Sequence, residues 1–277
     1  MEGLRGVKAS MVTLVSCQAN GSHLWYPSKE HPSDEPESAE IRITVPKPLS
    51  VASNGSLQSV KEHKNKWTTW HWSTKYSINP YNINFTVGHF ELIERIVPSL
   101  GKPLRVQFYV LKENLEGAEK LLDQVEIFVE FFTRNFGQFP WIEEKLGLVN
   151  TPYFGMEHQT MIAYGNDYKK NEKGYDFLLF HEMAHEWWGN YLSVSDWSDF
   201  WIHEGFAVYC EALYIEEKYG YEEYNSFFTK NISKKIPLSK PIVLERNSTM
   251  SQIFGLDPYY KGAFVLHMLR YLVGEEK

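Results

Sequence analysis

An apolar run, Phe177-Leu178-Leu179-Phe180, leads directly into His181-Glu182-Met183-Ala184-His185. Residues four apart stand one above the other on a helix face, so both imidazoles can meet a single metal ion. This spacing commits the segment to a helix. It also commits the surrounding domain to a core that holds the helix in place. Asp176 is a good N-cap and Gly189 a good stop, which predicts a helix from Asp176 to Trp188. Glu182 sits one position along and faces the space beside the ion. Two neutral imidazoles suit Zn²⁺, whose hydrolytic sites combine nitrogen or sulfur donors with a carboxylate. One zinc ion is the expected cofactor.

A zinc site needs a third protein ligand. Glu204 offers one, in Trp201-Ile202-His203-Glu204-Gly205-Phe206-Ala207, on the next predicted helix (about Asp199 to Tyr219). Two helices packed side by side across a short connection would bring it back to the imidazoles. His203 reads as a packing histidine, and Trp187 and Trp188 as packing at the helix end. Glu211, two turns beyond Glu204, reads equally as a hydrogen-bond acceptor for a ligand imidazole or as a solvated carboxylate; Asp199 carries the same ambiguity.

The rest of the chain supports an α+β fold. Its first hundred residues alternate as half-buried strands do, in Ile41 to Val45, Trp67 to Trp72 and Asn82 to Val87, with turn chemistry at Ser53-Asn54-Gly55. From about Leu115 the period becomes helical, with Ala118, Leu121, Leu122, Val125, Phe128, Val129 and Phe132 on one stripe. A short strand is expected over Leu146 to Val149. A last helix is expected to begin near Gly262 and to run on to the end of the sequence. The change of period places a boundary near Gly101-Lys102-Pro103, giving an N-terminal β domain (1–102) and a helical catalytic domain (103–277).

Composition narrows the function classes. The 277 residues suggest about two domains, and 43% hydrophobic with 23% charged residues is globular rather than disordered. Net charge is 28 − 35 = −7, and the only basic clusters are the pairs Lys169-Lys170 and Lys234-Lys235, so nucleic-acid binding is disfavoured. Cys17 and Cys210 are expected to be unpaired thiols. No transmembrane helix is expected, because no apolar run reaches about 18 residues, and Met1 to Ala19 does not read as a leader. Five Asn-X-Ser/Thr triplets (Asn20, Asn54, Asn84, Asn231, Asn247) carry little weight.

Together, Gly155-Met156-Glu157-His158, His181 to His185, Trp201 to Phe206 and Tyr259-Tyr260-Lys261-Gly262 resemble the zinc aminopeptidases of the aminopeptidase N and leukotriene-A hydrolase type. Ser16-Cys17-Gln18, Trp25-Tyr26-Pro27 and Asp34-Glu35-Pro36 are similar to that family's N-terminal β domain. The resemblance implies a saddle-like antiparallel β domain, present in part, followed by a thermolysin-like catalytic domain. It implies hydrolysis of the N-terminal peptide bond of peptides with a free amine. Zinc would be held by His181, His185 and Glu204, with Glu182 as general base and Tyr259 as donor to the oxyanion. Glu157 would bind the substrate amine, with Gln18 as a second amine contact and Gly155 and Met156 in the substrate loop. Tyr260 reads as packing.

Two departures stand out in that loop. Phe154 replaces the family's first glycine, and His158 its asparagine. The family also continues into a C-terminal helical domain, whereas this sequence ends at Gly274-Glu275-Glu276-Lys277. Alternative readings are an epoxide hydrolase on the same site, or an inactive truncated homologue that acts as a binding module. The sequence is silent on compartment.

Overall fold

The computed structural model describes residues 12–236, 241–255 and 257–274. Six strands come first: β1 (Thr13–Leu14), β2 (Ala39–Pro46), β3 (Ser50–Ser53), β4 (Ser56–Glu62), β5 (Trp67–Thr74) and β6 (Phe85–Gly88). They form two three-stranded antiparallel sheets, ordered β1-β6-β3 and β2-β5-β4. Alternation sets which faces are buried. Ile41 and Val45 turn inward from β2 while Arg42 and Thr44 do not, and Trp72 of β5, opposite Ile41, is fully buried.

Five further strands build the second layer: β7 (Phe90–Ser99), β8 (Lys102–Leu111), β9 (Leu146–Asn150), β10 (Gly155–Met156) and β11 (Ile162–Tyr164). They form one mixed sheet, in the order β10-β11-β9-β8-β7. β8, β9 and β11 run parallel; β9, buried along its length, reads as a continuous apolar run, as strands covered on both faces do. A division after residue 102 falls inside the β7–β8 hairpin, whose two strands pair along their full length.

Helix α1 (Leu115–Phe136) lays its predicted stripe against this sheet, with Val125, Phe128 and Phe132 almost wholly buried. Helices follow as α2 (Phe177–Ala184) and α3 (Trp201–Tyr219), then α4 (Tyr221–Ser226), α5 (Met250–Ile253) and α6 (Gly262–Val273). Phe180 of α2 packs between Phe128, Phe132 and Tyr214 at centroid distances of 4.8–5.0 Å, which anchors α2 to both neighbouring helices.

Three expectations are corrected. α2 stops at Ala184 rather than Trp188, because Glu186 and Trp187 turn back onto Met183 and Ala184 in tighter i→i−3 bonds. α6 ends at Val273, with Gly274 at its C-cap; residues 275–277 lie outside the described residues. The strand expected over Asn82 to Val87 begins only at Phe85. Its first half is instead bonded by the Asn54 side chain, which donates to Asn82 O (3.0 Å) and accepts from Asn84 N (2.8 Å). Asn54 and Asn84 are thus buried structural groups. The expectation for Met1 to Ala19 lies largely outside the described residues.

The first layer is tied to the five-stranded mixed sheet by polar contacts. Buried Lys145, just before β9, donates to the backbone oxygens of Ser53 and Gly55 and lies 4.8 Å from the Trp72 ring. Asn54 Nδ2 also donates to Gln159 O at 2.6 Å, and Gly55 N to Thr160 Oγ1 at 2.8 Å. These bonds hold the segment just after Glu157. Cys17 and Cys210 are both free and buried. Among the described residues, no helix is long and apolar enough to cross a membrane.

Candidate active site

α2 presents His181 from its last turn and His185 from its C-cap, where the backbone is still helical (φ −65°, ψ −20°). Their Nε2 atoms lie 3.2 Å apart. Glu204, in the first turn of the packed helix α3, brings Oε2 to 3.3 Å from His181 Nε2 and 3.4 Å from His185 Nε2. An ion about 2.0–2.1 Å from three donors at tetrahedral angles needs donor separations of about 3.3–3.4 Å. The observed triangle therefore fits zinc. Glu204 Oε2 is buried with no hydrogen bond among the described residues, an orphan that a cation would satisfy. His185 Nδ1 lies 2.9 Å from Trp188 O; donating there leaves the Nε2 lone pair for metal. Burial pushes the Glu204 carboxyl up, but the His185 and His181 imidazoles outweigh it and hold it well below the usual carboxylate range.

Around this triangle stand two more buried carboxylates. Ligand atoms of Glu157, Glu182 and His185 lie within 4.8 Å of one another. Burial, reinforced by the neighbouring Glu157 charge, pushes Glu182 well above its ordinary value. Burial likewise raises Glu157. Gly155 lies close against α2: a Cβ there would sit 2.6 Å from Glu182 Oε1 and 2.7 Å from Leu178 Cδ1, so a larger residue would displace the Glu182 and Leu178 side chains. Met156 is buried beside it.

Sequence reading did not anticipate the groups that hold Glu157. Tyr81 donates its hydroxyl to Glu157 Oε1 at 3.0 Å, and Asn190 Nδ2 donates to Glu157 O at 2.9 Å. Buried Glu186 accepts from Trp141 Nε1 (2.8 Å), Thr160 N (3.0 Å) and Asn190 Nδ2 (3.2 Å). Burial pushes the Glu186 carboxyl up to about 7. No local pattern in the sequence pointed to these groups: Glu186 is hydrogen-bonded to Trp141 and Thr160, which lie elsewhere in the chain.

A cavity of about 550 Å³ opens over the triangle, lined by Gln18, Phe154, Glu157, Glu182, Glu204 and Tyr259 among others. Tyr259 stacks on His181 at 6.1 Å and 20°. Burial, and next the Glu204 charge, push its phenol far above the ordinary value, so it stays a neutral donor. Phe154 fills the departed glycine position and leans on Phe177 at 5.7 Å, both rings partly exposed at the cavity. Tyr260 also lines the cavity and accepts from Lys235 Nζ at 3.2 Å. Glu211 follows neither of its two readings: it lines the cavity and accepts from Tyr175 Oη at 2.7 Å. His203 is a packing group, wholly buried and accepting from Val194 N at 3.2 Å. Trp187 stacks on Phe132 at 5.2 Å, and Trp188 on Phe206 at 4.4 Å.

His158, the other departure, is buried with both ring nitrogens lacking hydrogen-bond partners among the described residues. Burial pushes its pKa down from 6.5 to about 3. A folded-state value below the unfolded one means the unfolded chain binds the extra proton as pH falls below 6.5. Stability is then lost between 6.5 and about 3. At pH 5 the loss is about 2 kcal/mol, at 1.4 kcal/mol per unit. His158→Leu should keep its stability at pH 7 and move the acid limb of unfolding to lower pH. An unchanged acid limb in urea melts across pH 4–7 would contradict this.

With fold and site in view, comparison with known proteins places the chain. The Peptidase family M1 domain matches residues 122–277. The chain belongs to peptidase family M1. It is 25% identical to human aminopeptidase N over 99% of this chain and 31% of that protein. It is 27% identical to human glutamyl aminopeptidase over 83% of this chain and 26% of that protein. The curated relatives it matches are therefore several times longer. In fold it is similar to an M1 zinc metallopeptidase mutant from Deinococcus radiodurans bound to a Tyr-Ser-Ala substrate, with a TM-score of 0.79, 22% identity, and 95% of this chain and 59% of that one covered.

Proposed function

We propose that this chain is a zinc aminopeptidase that hydrolyses the N-terminal peptide bond of peptides with a free amine. The observation that carries the reading is a zinc-sized triangle of His181, His185 and Glu204 with two further carboxylates, Glu182 and Glu157, facing the same point. Zinc, when bound, acts as a Lewis acid on the scissile carbonyl and lowers the pKa of water towards about 7.

The chain's own groups do the rest. Glu182 takes the proton of the attacking water and returns it to the leaving amine nitrogen. Tyr259 donates its hydroxyl hydrogen to the oxygen that becomes negative as the carbonyl is attacked. Glu157, held by Tyr81, receives the substrate's ammonium group, and Gln18 adds a second contact at the cavity wall. Three clustered carboxylates favour a cation at this spot. An internal peptide lacks that cation and would leave Glu157 buried without its partner, which selects for chain ends. The relatives' names as aminopeptidases and the Tyr-Ser-Ala complex of the Deinococcus protein support a peptide substrate. Nothing favours the epoxide or binding-module alternatives.

The test compares free and N-acetylated aminoacyl-arylamides. The parent chain should turn over only the free-amine series. Glu157→Ala should lower kcat/KM on that series by about 10–100-fold, the worth of a hydrogen bond to a charged group, chiefly through KM. Turnover of acetylated substrates equal to that of free ones would reject the reading.

A further inference from the structure

The mechanism needs Tyr259 at a fixed height over the metal triangle, yet Tyr259 lies outside both metal-binding helices. It sits in a π-helical turn, Asp257–Lys261, that runs straight into α6. Such turns recur at functional sites because they re-aim side chains within a helix. The backbone around this turn is pinned at one point. Gly205, directly after the ligand Glu204, meets Gly262, three residues after Tyr259.

The contact is between backbones. A Cβ at Gly205 would lie 2.8 Å from Gly262 Cα, 2.9 Å from its carbonyl carbon and 3.1 Å from Pro258 O. A Cβ at Gly262 would lie 2.9 Å from Gly205 Cα and 3.3 Å from Trp201 O. None of these atoms is the end of a side chain that could swing aside, so one added methyl group must push α3 and α6 apart. Gly205 directly follows Glu204, and the Cβ it lacks would also press on the carbonyl oxygen of Pro258, the residue before Tyr259. The His181–Tyr259 stack at 6.1 Å shows that Tyr259 already rides on the metal-binding helix pair.

We propose that the Gly205–Gly262 crossing is a positioning device that sets the distance of the Tyr259 hydroxyl from the reacting carbonyl. Both glycines are positioning residues that act through Tyr259, and the claim rests on the function proposed above. A mere packing contact would change stability. A positioning contact changes transition-state binding selectively, because a shift of about 1 Å at a reacting group is enough to cost up to 10²-fold.

The experiment uses the full chain loaded with zinc, with zinc content and thermal melting recorded for each variant. Gly262→Ala should keep one zinc and bind a free amino acid within twofold of the parent. It should bind a phosphinic dipeptide, whose tetrahedral oxygens stand in for the attacked carbonyl, at least tenfold more weakly by calorimetry. On aminoacyl-arylamides kcat should fall at least tenfold with KM within twofold. In a Tyr259→Phe background the same alanine should cost less than twofold, because the group it displaces is gone. Gly205→Ala presses on the crossing from the other side and should act likewise. Equal phosphinate affinity in parent and Gly262→Ala, or losses that multiply with Tyr259→Phe, would overturn the proposal. Failure of both alanine variants to fold would make the crossing an assembly contact and overturn it too. A parent chain that neither binds phosphinate nor turns over substrate would instead reject the functional reading.

Discussion

Glu182→Gln is expected to leave zinc in place and remove nearly all hydrolysis. Glutamine keeps the shape of the side chain but cannot take a proton from water. The three proposed metal donors belong to His181, His185 and Glu204, and none is hydrogen-bonded to Glu182. Loss of a positioned general base costs about 10²–10⁴ in rate, or about 3–5 kcal/mol of transition-state stabilisation. Folding should not suffer, since Glu182 is buried beside Glu157 and Glu204 and its charge is unfavourable there. The check is kcat per bound zinc, with zinc measured by elemental analysis. Activity within threefold of the parent at full zinc occupancy would remove Glu182 from the mechanism.

Metal removal should have the second large effect, and its pH dependence has a sign. In the metal-free site burial pushes the His185 pKa down, but the Glu204 carboxylate outweighs it and raises the value to about 10. A proton therefore occupies the place of the ion at neutral pH, and zinc must displace it. Apparent zinc affinity should rise about tenfold per pH unit between pH 6.5 and 9, with one proton released per ion. Chelation should abolish turnover, and re-addition of zinc restore it. At zinc 1,000-fold above Kd the ion contributes about 4 kcal/mol. At about 2–4 °C per kcal/mol, chelation should lower Tm by roughly 10 °C. Glu204→Ala should mimic chelation at any zinc level below millimolar. Zinc affinity independent of pH in competition titrations would contradict the proton-for-zinc exchange.

These effects divide by how far apart in the chain the cooperating groups lie. His181 and His185 were legible because four residues of helix fix their geometry without help from the rest of the fold. The stripe on α1 was legible for the same reason, and α1 begins at Leu115 as expected. The end of α2 was not, since it is set by Glu186, which is drawn into a network with Trp141 and Thr160. Glu211 was ambiguous on α3 because its partner, Tyr175, comes from a loop before α2. Tyr81 lies 76 residues from the carboxylate it holds, and no local pattern links them.

Residue chemistry and short spacing thus set the His181–His185 pair, Glu182 beside it, the helical period of the second half of the chain and the strand alternation before it. Such features depend on neighbours within one or two turns, and backbone geometry alone supplies those distances. Packing alone decided the edges of the zinc-sized triangle, the grip of Tyr81 and Asn190 on Glu157, the burial that moves three carboxyl groups upward, and the glycine-to-glycine contact beneath Tyr259. Each depends on which distant segments exclude water from one another, a property of the folded chain as a whole.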